Sequence, residues 1–294
     1  ALTRTGKTAV LCSPGPFIRP EIKEIESMFA KSINEAAERA GLAADASPAE
    51  KAAVIIVDCS SPERIGSSFA DDIRNLPVAV IDHHASGLPF GDVSFVNSSS
   101  PSTTVMIYQL MKKLDISPTP DEAEDLLFGF LTDTGYFRHL DSEGADSMKL
   151  AAELIDFGAS LKDLYNRMYG GRELDSKVLT GRVLSRAVSN FNGRCISIYE
   201  TIDEKKSFGA ENRDSDTIYS QLFAVRGCEA VIFIREEAEG ECSVSLRSRD
   251  NIDVGSVAKS FGGGGHMRAA GFVWKGSRED AAAELERVFA EVFK

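Results

Sequence analysis

Two short apolar runs organise the first half of the chain. Residues 52–58, AAVIIVD, are β-branched, continuous and brief, the pattern of a strand buried on both faces. Residues 77–82, PVAVID, repeat it. Between them SSPERIGSSFADDIRNL carries helix-compatible spacing, so strand, crossover and strand predict a βαβ unit and a parallel sheet. Residues 100–116, SPSTTVMIYQLMKKLDI, open on Ser/Thr caps and predict a helix. Residues 120–137, PDEAEDLLFGFLTDTGYF, begin with proline and acids and predict a helix with Asp133 near its end. GADSMKLAAELIDFGA is amphipathic and stops at Gly158, and residues 160–190 stay helical in pattern.

After NFNGR the pattern changes. CISIYE, EAVIFIRE and ECSVSLRS read as strands, and DSDTIYSQLFAVRG and SREDAAAELERVFAEVF as helices. The fold class is therefore α/β in two lobes: a parallel-sheet domain over 1–158, a helical linker over 159–190, and a smaller mixed-sheet domain over 191–294.

Composition narrows the class. A chain of 294 residues suits two domains, and 43% hydrophobic with 27% charged residues is an ordinary globular balance. No apolar run approaches the roughly 20 residues that span a bilayer, and no export signal opens the chain. The five cysteines are scattered and form no CxxC pair, which argues against a zinc knuckle or a disulfide framework and suits a reducing cytoplasm. A net charge of −12 argues against coating duplex nucleic acid, but one metal site or arginine cluster can still hold a small phosphorylated ligand.

The candidate chemistry sits where apolar runs end. In open parallel sheets ligands gather at the carboxyl ends of strands. Asp58 ends one predicted strand, and Asp82, His83 and His84 end the next. Carboxylates with imidazole suit Mn²⁺, Mg²⁺ or Fe²⁺, and Asp133 interrupts an apolar helix in the same half. Taken singly, a strand-end aspartate is a cap and a loop histidine a surface residue; the adjacent pair behind an acid is harder to read so. The second feature is FGGGGHMRAAGF, residues 261–272. Each glycine weakens a helix or strand by about 1 kcal/mol relative to alanine, so such a run implies close approach of backbone to something, with exposed amides and His266 able to hold a phosphate. In SLRSRD, Arg247 and Arg249 alternate along a strand and point the same way, and arginine forks bind phosphate.

Together, IIVDCSSPERIG, VIDHHAS, FLTDTGYFR and SLRSRDNIDVGSVAKSFGGGGHMRAAGF resemble, in order and over nearly the whole chain, the DHH phosphoesterases with a DHH-associated C-terminal domain. The branch they look most like comprises bifunctional oligoribonucleases that also dephosphorylate 3′-phosphoadenosine 5′-phosphate. The resemblance implies two α/β lobes with a cleft, two divalent ions (Mn²⁺, with Mg²⁺ the alternative) in the first lobe, and a homodimer. It implies Asp58, His83 and Asp133 as metal ligands. Asp82 and His84 become supporting catalytic residues that orient imidazole or meet the phosphate. Arg247, Gly264, Gly265 and His266, with Arg138 a weaker candidate, would hold the substrate.

One departure matters. The family's first motif, His-x-x-x-Asp-x-Asp, has no counterpart, because the only histidines are His83, His84, His139 and His266. The expectation is that the chain lacks an N-terminal part of the family pattern and that, as it stands, it holds one metal at best. The functional expectation is a metal-dependent hydrolase of dinucleotides and other short oligonucleotides or of 3′-phosphoadenosine 5′-phosphate, with no duplex and no membrane partner. The alternatives are a cyclic or linear dinucleotide phosphodiesterase and a nucleotide-binding module without catalysis.

Overall fold

The structure is a computed structural model that describes residues 1–17, 20–42, 52–59, 61, 65–84, 90–140, 144–249 and 252–294. It divides into two compact units, Ala1–Gly170 and Gly171–Lys294.

The first unit runs α1 (Pro20–Lys23), α2 (Ile33–Arg39), β1 (Val54–Val57), α3 (Ser67–Asp72), β2 (Val78–Asp82), β3 (Val93–Val96), α4 (Thr103–Lys113), α5 (Pro120–Asp133), α6 (Ala145–Asp156) and α7 (Leu161–Tyr169). The three strands form a parallel sheet in sequence order, with Val57 beside Ile81 and Ile81 beside Phe95. Val80 and Ile56 pack with Ile73 beneath it, while Leu127, Phe130, Leu154 and Leu164 build a separate helical core. Helix α5 starts where its chemistry dictates: Thr119 and Glu122 close a capping box around Pro120. Asp133 is its last residue, with Thr134 the C-cap.

The expected double burial holds for one of the two runs. β2 is covered along its length, but in β1 Ile55 and Val57 are 49% and 52% exposed. The reason is position: β2 is central, whereas β1 is an edge strand of the described sheet with only its Ile56 face packed against helix. β3, not anticipated, is exposed at every residue, so no apolar alternation marks it.

The second unit runs α8 (Leu174–Ser185), β4 (Val188–Asn190), β5 (Cys195–Glu200), α9 (Ile202–Phe208), α10 (Ser215–Phe223), β6 (Ala230–Ala238), β7 (Glu241–Ser248), α11 (Val254–Ser260), β8 (Gly264–His266), β9 (Ala269–Lys275) and α12 (Arg278–Val292). Its sheet has the order β4-β5-β6-β7-β9-β8 and is mixed, with β5 and β6 parallel and the other pairs antiparallel. Burial alternates along β7: Cys242, Val244 and Leu246 face the core with α11 and α12. On the opposite face, Leu179 and Val183 of α8 and Ile218 and Leu222 of α10 cover Ile196, Ile198, Val231 and Phe233. The stretch read as a connection is thus two helices. Leu164 of α7 belongs to the first unit's core, and α8 packs on the second unit's sheet. No helix among the described residues is long and apolar enough to cross a membrane.

Glu204 ties α8 to α9. Its carboxylate accepts both arms of the Arg186 fork, at 2.6 and 2.8 Å, and it closes the capping box with Thr201. Burial pushes its pKa up, but the Arg186 fork and the Thr201 amide outweigh this and hold it below the usual glutamate value. A depressed carboxyl stabilises the fold above its unfolded pKa and loses that contribution as pH falls through the folded one. Glu204→Gln is therefore expected to lower stability at neutral pH by about 2 kcal/mol, and the difference from the parent to shrink below the usual carboxylate range. Urea unfolding at a series of pH values measures both.

Candidate active site

Parallel pairing brings the two strand ends together. The Asp58 amide donates to the Ile81 carbonyl at 3.0 Å, so Asp58 leaves β1 beside Asp82, the last residue of β2. Asp58 stands at φ 61°, in the left-handed region that aspartate tolerates better than most residues. Its Oδ1 accepts a 2.7 Å bond from the Thr103 hydroxyl in the first turn of α4, a helix capped by Ser102.

The two histidines are turned by different partners. His83 Nδ1 lies 3.3 Å from the Ser100 carbonyl, which can only accept, so Nδ1 donates there and Nε2 is the nitrogen turned to the acids. That Nε2 is 3.6 Å from Asp58 Oδ1 and 3.7 Å from Asp133 Oδ2. His84 Nδ1 lies 2.7 Å from Oδ1 of the fully buried Asp82, which also accepts the His84 amide. Asp82 thus orients His84, while Asp58 and Asp133 converge on His83.

Asp58, His83 and His84 each offer a donor atom, all within 4.8 Å of one another. Oxygen and imidazole nitrogen without thiolate is the donor chemistry of Mn²⁺, Mg²⁺ or Fe²⁺. Burial raises the Asp133 pKa, and the Asp58 carboxylate raises it further. An Asp133 carboxyl that burial and the neighbouring Asp58 make harder to ionise, beside an imidazole nitrogen, is what a divalent cation relieves, so these residues fit one.

Beyond Asp133 the chain turns through Gly135, Tyr136 and Phe137, all at positive φ (57°, 60° and 67°). Arg138 and His139 follow, with Arg138 Nη2 3.5 Å from His139 Nε2.

The second unit carries the other candidates. The other face of β7 presents Ser243, Ser245 and Arg247, which are half-buried. The Arg247 guanidinium lies 5.0 Å over the Tyr219 ring and Arg249 lies 4.7 Å over Phe223, so both cations meet rings of α10. The glycine run is not a loop alone: Gly264–His266 is β8, with Gly265 beside Ala270 and His266 beside Ala269 on β9. A side chain at Gly265 would lie 2.5 Å from the Ala269 carbonyl, at a φ of 139°. This glycine is explained by β9 itself. Gly264 is exposed, and a Cβ there meets nothing within 4 Å, so its backbone is open to a ligand. His266 at the end of β8 is exposed as well.

Sequence reasoning passed over Thr103 and Ser100, which hold Asp58 and His83, because SPSTT reads simply as a helix cap. It also passed over Tyr219, whose spacing on α10 looks like ordinary core.

A DHHA1 domain model matches residues 196–294. The chain is 33% identical over 251 residues to the bifunctional oligoribonuclease and PAP phosphatase NrnA of Thermus thermophilus, covering 83% of this chain and 74% of that protein. It is 29% identical over 228 residues to the protein of the same name from Bacillus subtilis, covering 76% and 70%. The crystal structure of an exopolyphosphatase-related protein from Bacteroides fragilis superposes with a TM-score of 0.79 at 22% identity, over 99% of this chain and 84% of that one, and shares its fold. The chain belongs to the DHH phosphoesterase family with a DHHA1 domain. Within that family its sequence is similar to the bifunctional oligoribonuclease and PAP phosphatase branch.

Two outcomes follow from the cluster. Thr103→Val, which removes the bond to Asp58, is expected to weaken Mn²⁺ binding about tenfold, with Thr103→Ser restoring it; isothermal titration reads both. Because a raised carboxyl pKa makes the ionised form unfavourable, Asp133→Asn is expected to raise the Tm of metal-free protein by about 2 °C at neutral pH. The gain should vanish at acid pH, where Asp133 is protonated, and metal affinity should fall.

Proposed function

We propose that this chain is a metal-dependent phosphoesterase that hydrolyses short oligonucleotides, dinucleotides among them, and 3′-phosphoadenosine 5′-phosphate. The observation that carries the reading is the convergence of Asp58 and Asp133 on His83 Nε2, from three separate elements. Identity with two proteins named for these activities supports the choice of substrate class.

In this reading Asp58, His83 and Asp133 hold a divalent cation, Mn²⁺ or Mg²⁺. When bound, it supplies activation of water and neutralisation of charge at phosphorus. The residues do the rest. Ser100 and Thr103 keep the His83 lone pair and the Asp58 carboxylate aimed at one point. Asp82 accepts from His84 Nδ1 and orients the ring, and the doubly protonated imidazole would donate from Nε2 to a phosphate oxygen. On the second unit, Arg247 offers a guanidinium fork, and Gly264, Gly265 and His266 offer backbone and imidazole to a substrate end. Arg138 is a further phosphate contact. A net charge of −12 fits substrates with few phosphates, since each added phosphate adds repulsion that the local cations must offset. Work on free short substrates in the cytoplasm, as a homodimer, belongs to the same reading.

The test is hydrolysis with added Mn²⁺ of dinucleotides and of 3′-phosphoadenosine 5′-phosphate, followed by chromatography. His83→Ala is expected to lose at least about 100-fold in kcat. Arg247→Ala is expected to raise KM about tenfold with a smaller change in kcat. Inertness toward every one of these substrates with metal bound would remove the reading and leave a nucleotide-binding module.

A further inference from the structure

Three tyrosines gather on the first unit, one of them close in the chain to Asp133. Tyr136 lies three residues beyond Asp133, so the two Cα atoms are at most about 11 Å apart. The Tyr136 ring centroid is 5.4 Å from that of Tyr165 and 6.2 Å from that of Tyr169, and the last two are 5.0 Å apart. The group is built rather than incidental. The Tyr136 hydroxyl donates to the Leu161 carbonyl at 2.7 Å, anchoring it on α7. Its backbone is held in the left-handed region, which for a bulky residue costs about 1–3 kcal/mol and is kept where surrounding structure demands it.

Helix α7 does not need these rings for packing. Leu164 is fully buried, with Leu161 and Met168 beside it, and these seat the helix on its core. Tyr165 and Tyr169, one turn apart, remain 52% and 43% exposed. Exposed aromatic rings, grouped with a tyrosine three residues from a candidate site acid, are what a nucleobase stacks on. Every base has a π face, and such stacking contributes without reading sequence.

We propose that Tyr136, Tyr165 and Tyr169 form a stacking platform for a nucleobase of the substrate. It gives the first unit its own grip on nucleotides, independent of phosphate contacts. The setting rests on the phosphoesterase reading above, but the platform itself is tested by binding alone. Adenosine 5′-monophosphate and ribose 5-phosphate share the phosphate and the sugar and differ by the base, so the ratio of their affinities isolates stacking.

Titration of both into the whole protein is expected to show the adenine nucleotide binding at least about tenfold more tightly. In Tyr165→Ala/Tyr169→Ala that preference should collapse, while Tyr165→Phe/Tyr169→Phe, which keeps the ring faces, should retain it. For a dinucleotide the alanine pair should raise KM about tenfold with a smaller change in kcat. An adenine preference that survives in the alanine pair, folded as judged by circular dichroism, overturns the platform. Failure of the two readings is distinguishable. Tyrosine-dependent adenine binding without hydrolysis sinks the phosphoesterase and keeps the platform. Hydrolysis with KM untouched in the alanine pair does the reverse.

Discussion

The bond from the Asp58 amide to the Ile81 carbonyl holds the first unit's chemistry in place. It continues the β1–β2 ladder one residue past the strand and delivers Asp58 alongside Asp82, with His83 and His84 immediately following. Side chains alternate along a strand, so a slip of one residue would send Asp58 to the other face and break the approach to His83. The hydrophobic face of Ile56, Val78 and Val80 enforces the register, because only one pairing buries it. The polar cluster is therefore positioned by an apolar core.

Around that register a second set of bonds settles the direction of each donor. Ser100 and Asp82 take the Nδ1 positions of the two histidines, and Thr103 takes one oxygen of Asp58. Because Ser100 and Thr103 come from the loop before α4 and from its first turn, the helix start serves two purposes. It satisfies its own free amides through Ser102, and it steadies the acid opposite. The remaining acid, Asp133, arrives from the far end of α5. Its partial burial beside Asp58 leaves a carboxylate that is harder to ionise than usual and a site short of positive charge.

The second unit works by a different device. One face of β7 is core, and the other is small and polar around Arg247, which lies over the Tyr219 ring instead of against an acid. β8 can lie close to β9 because Gly263 and Gly265 have no side chain to collide with its backbone. This leaves Gly264 and His266 exposed along the same edge. The glycine run thus serves sheet packing first and ligand access second.

Much of this was legible from the residues. β2 declared itself by a continuous apolar run, β5, β6 and β7 by their strand-like patterns, and α4 and α5 by their caps, since these signals are local to a few residues. The convergence of Asp58 with the histidines followed from the parallel sheet that a βαβ pattern implies. Other features had no local signal. β3 is exposed at every residue, β8 is two glycines and a histidine, and one face of β1 is exposed, because pairing and edge position are properties of neighbours distant in the chain. The chain alone determined which residues carry acid, imidazole and guanidinium and which ends of which elements they occupy. Tertiary structure alone decided the rest: that Asp133 reaches His83, that Thr103 and Ser100 hold its companions, and that Tyr136, Tyr165 and Tyr169 meet. Apart from Tyr165 and Tyr169, one turn apart on α7, those contacts join residues 17 to 50 positions apart, across distances that periodicity does not encode.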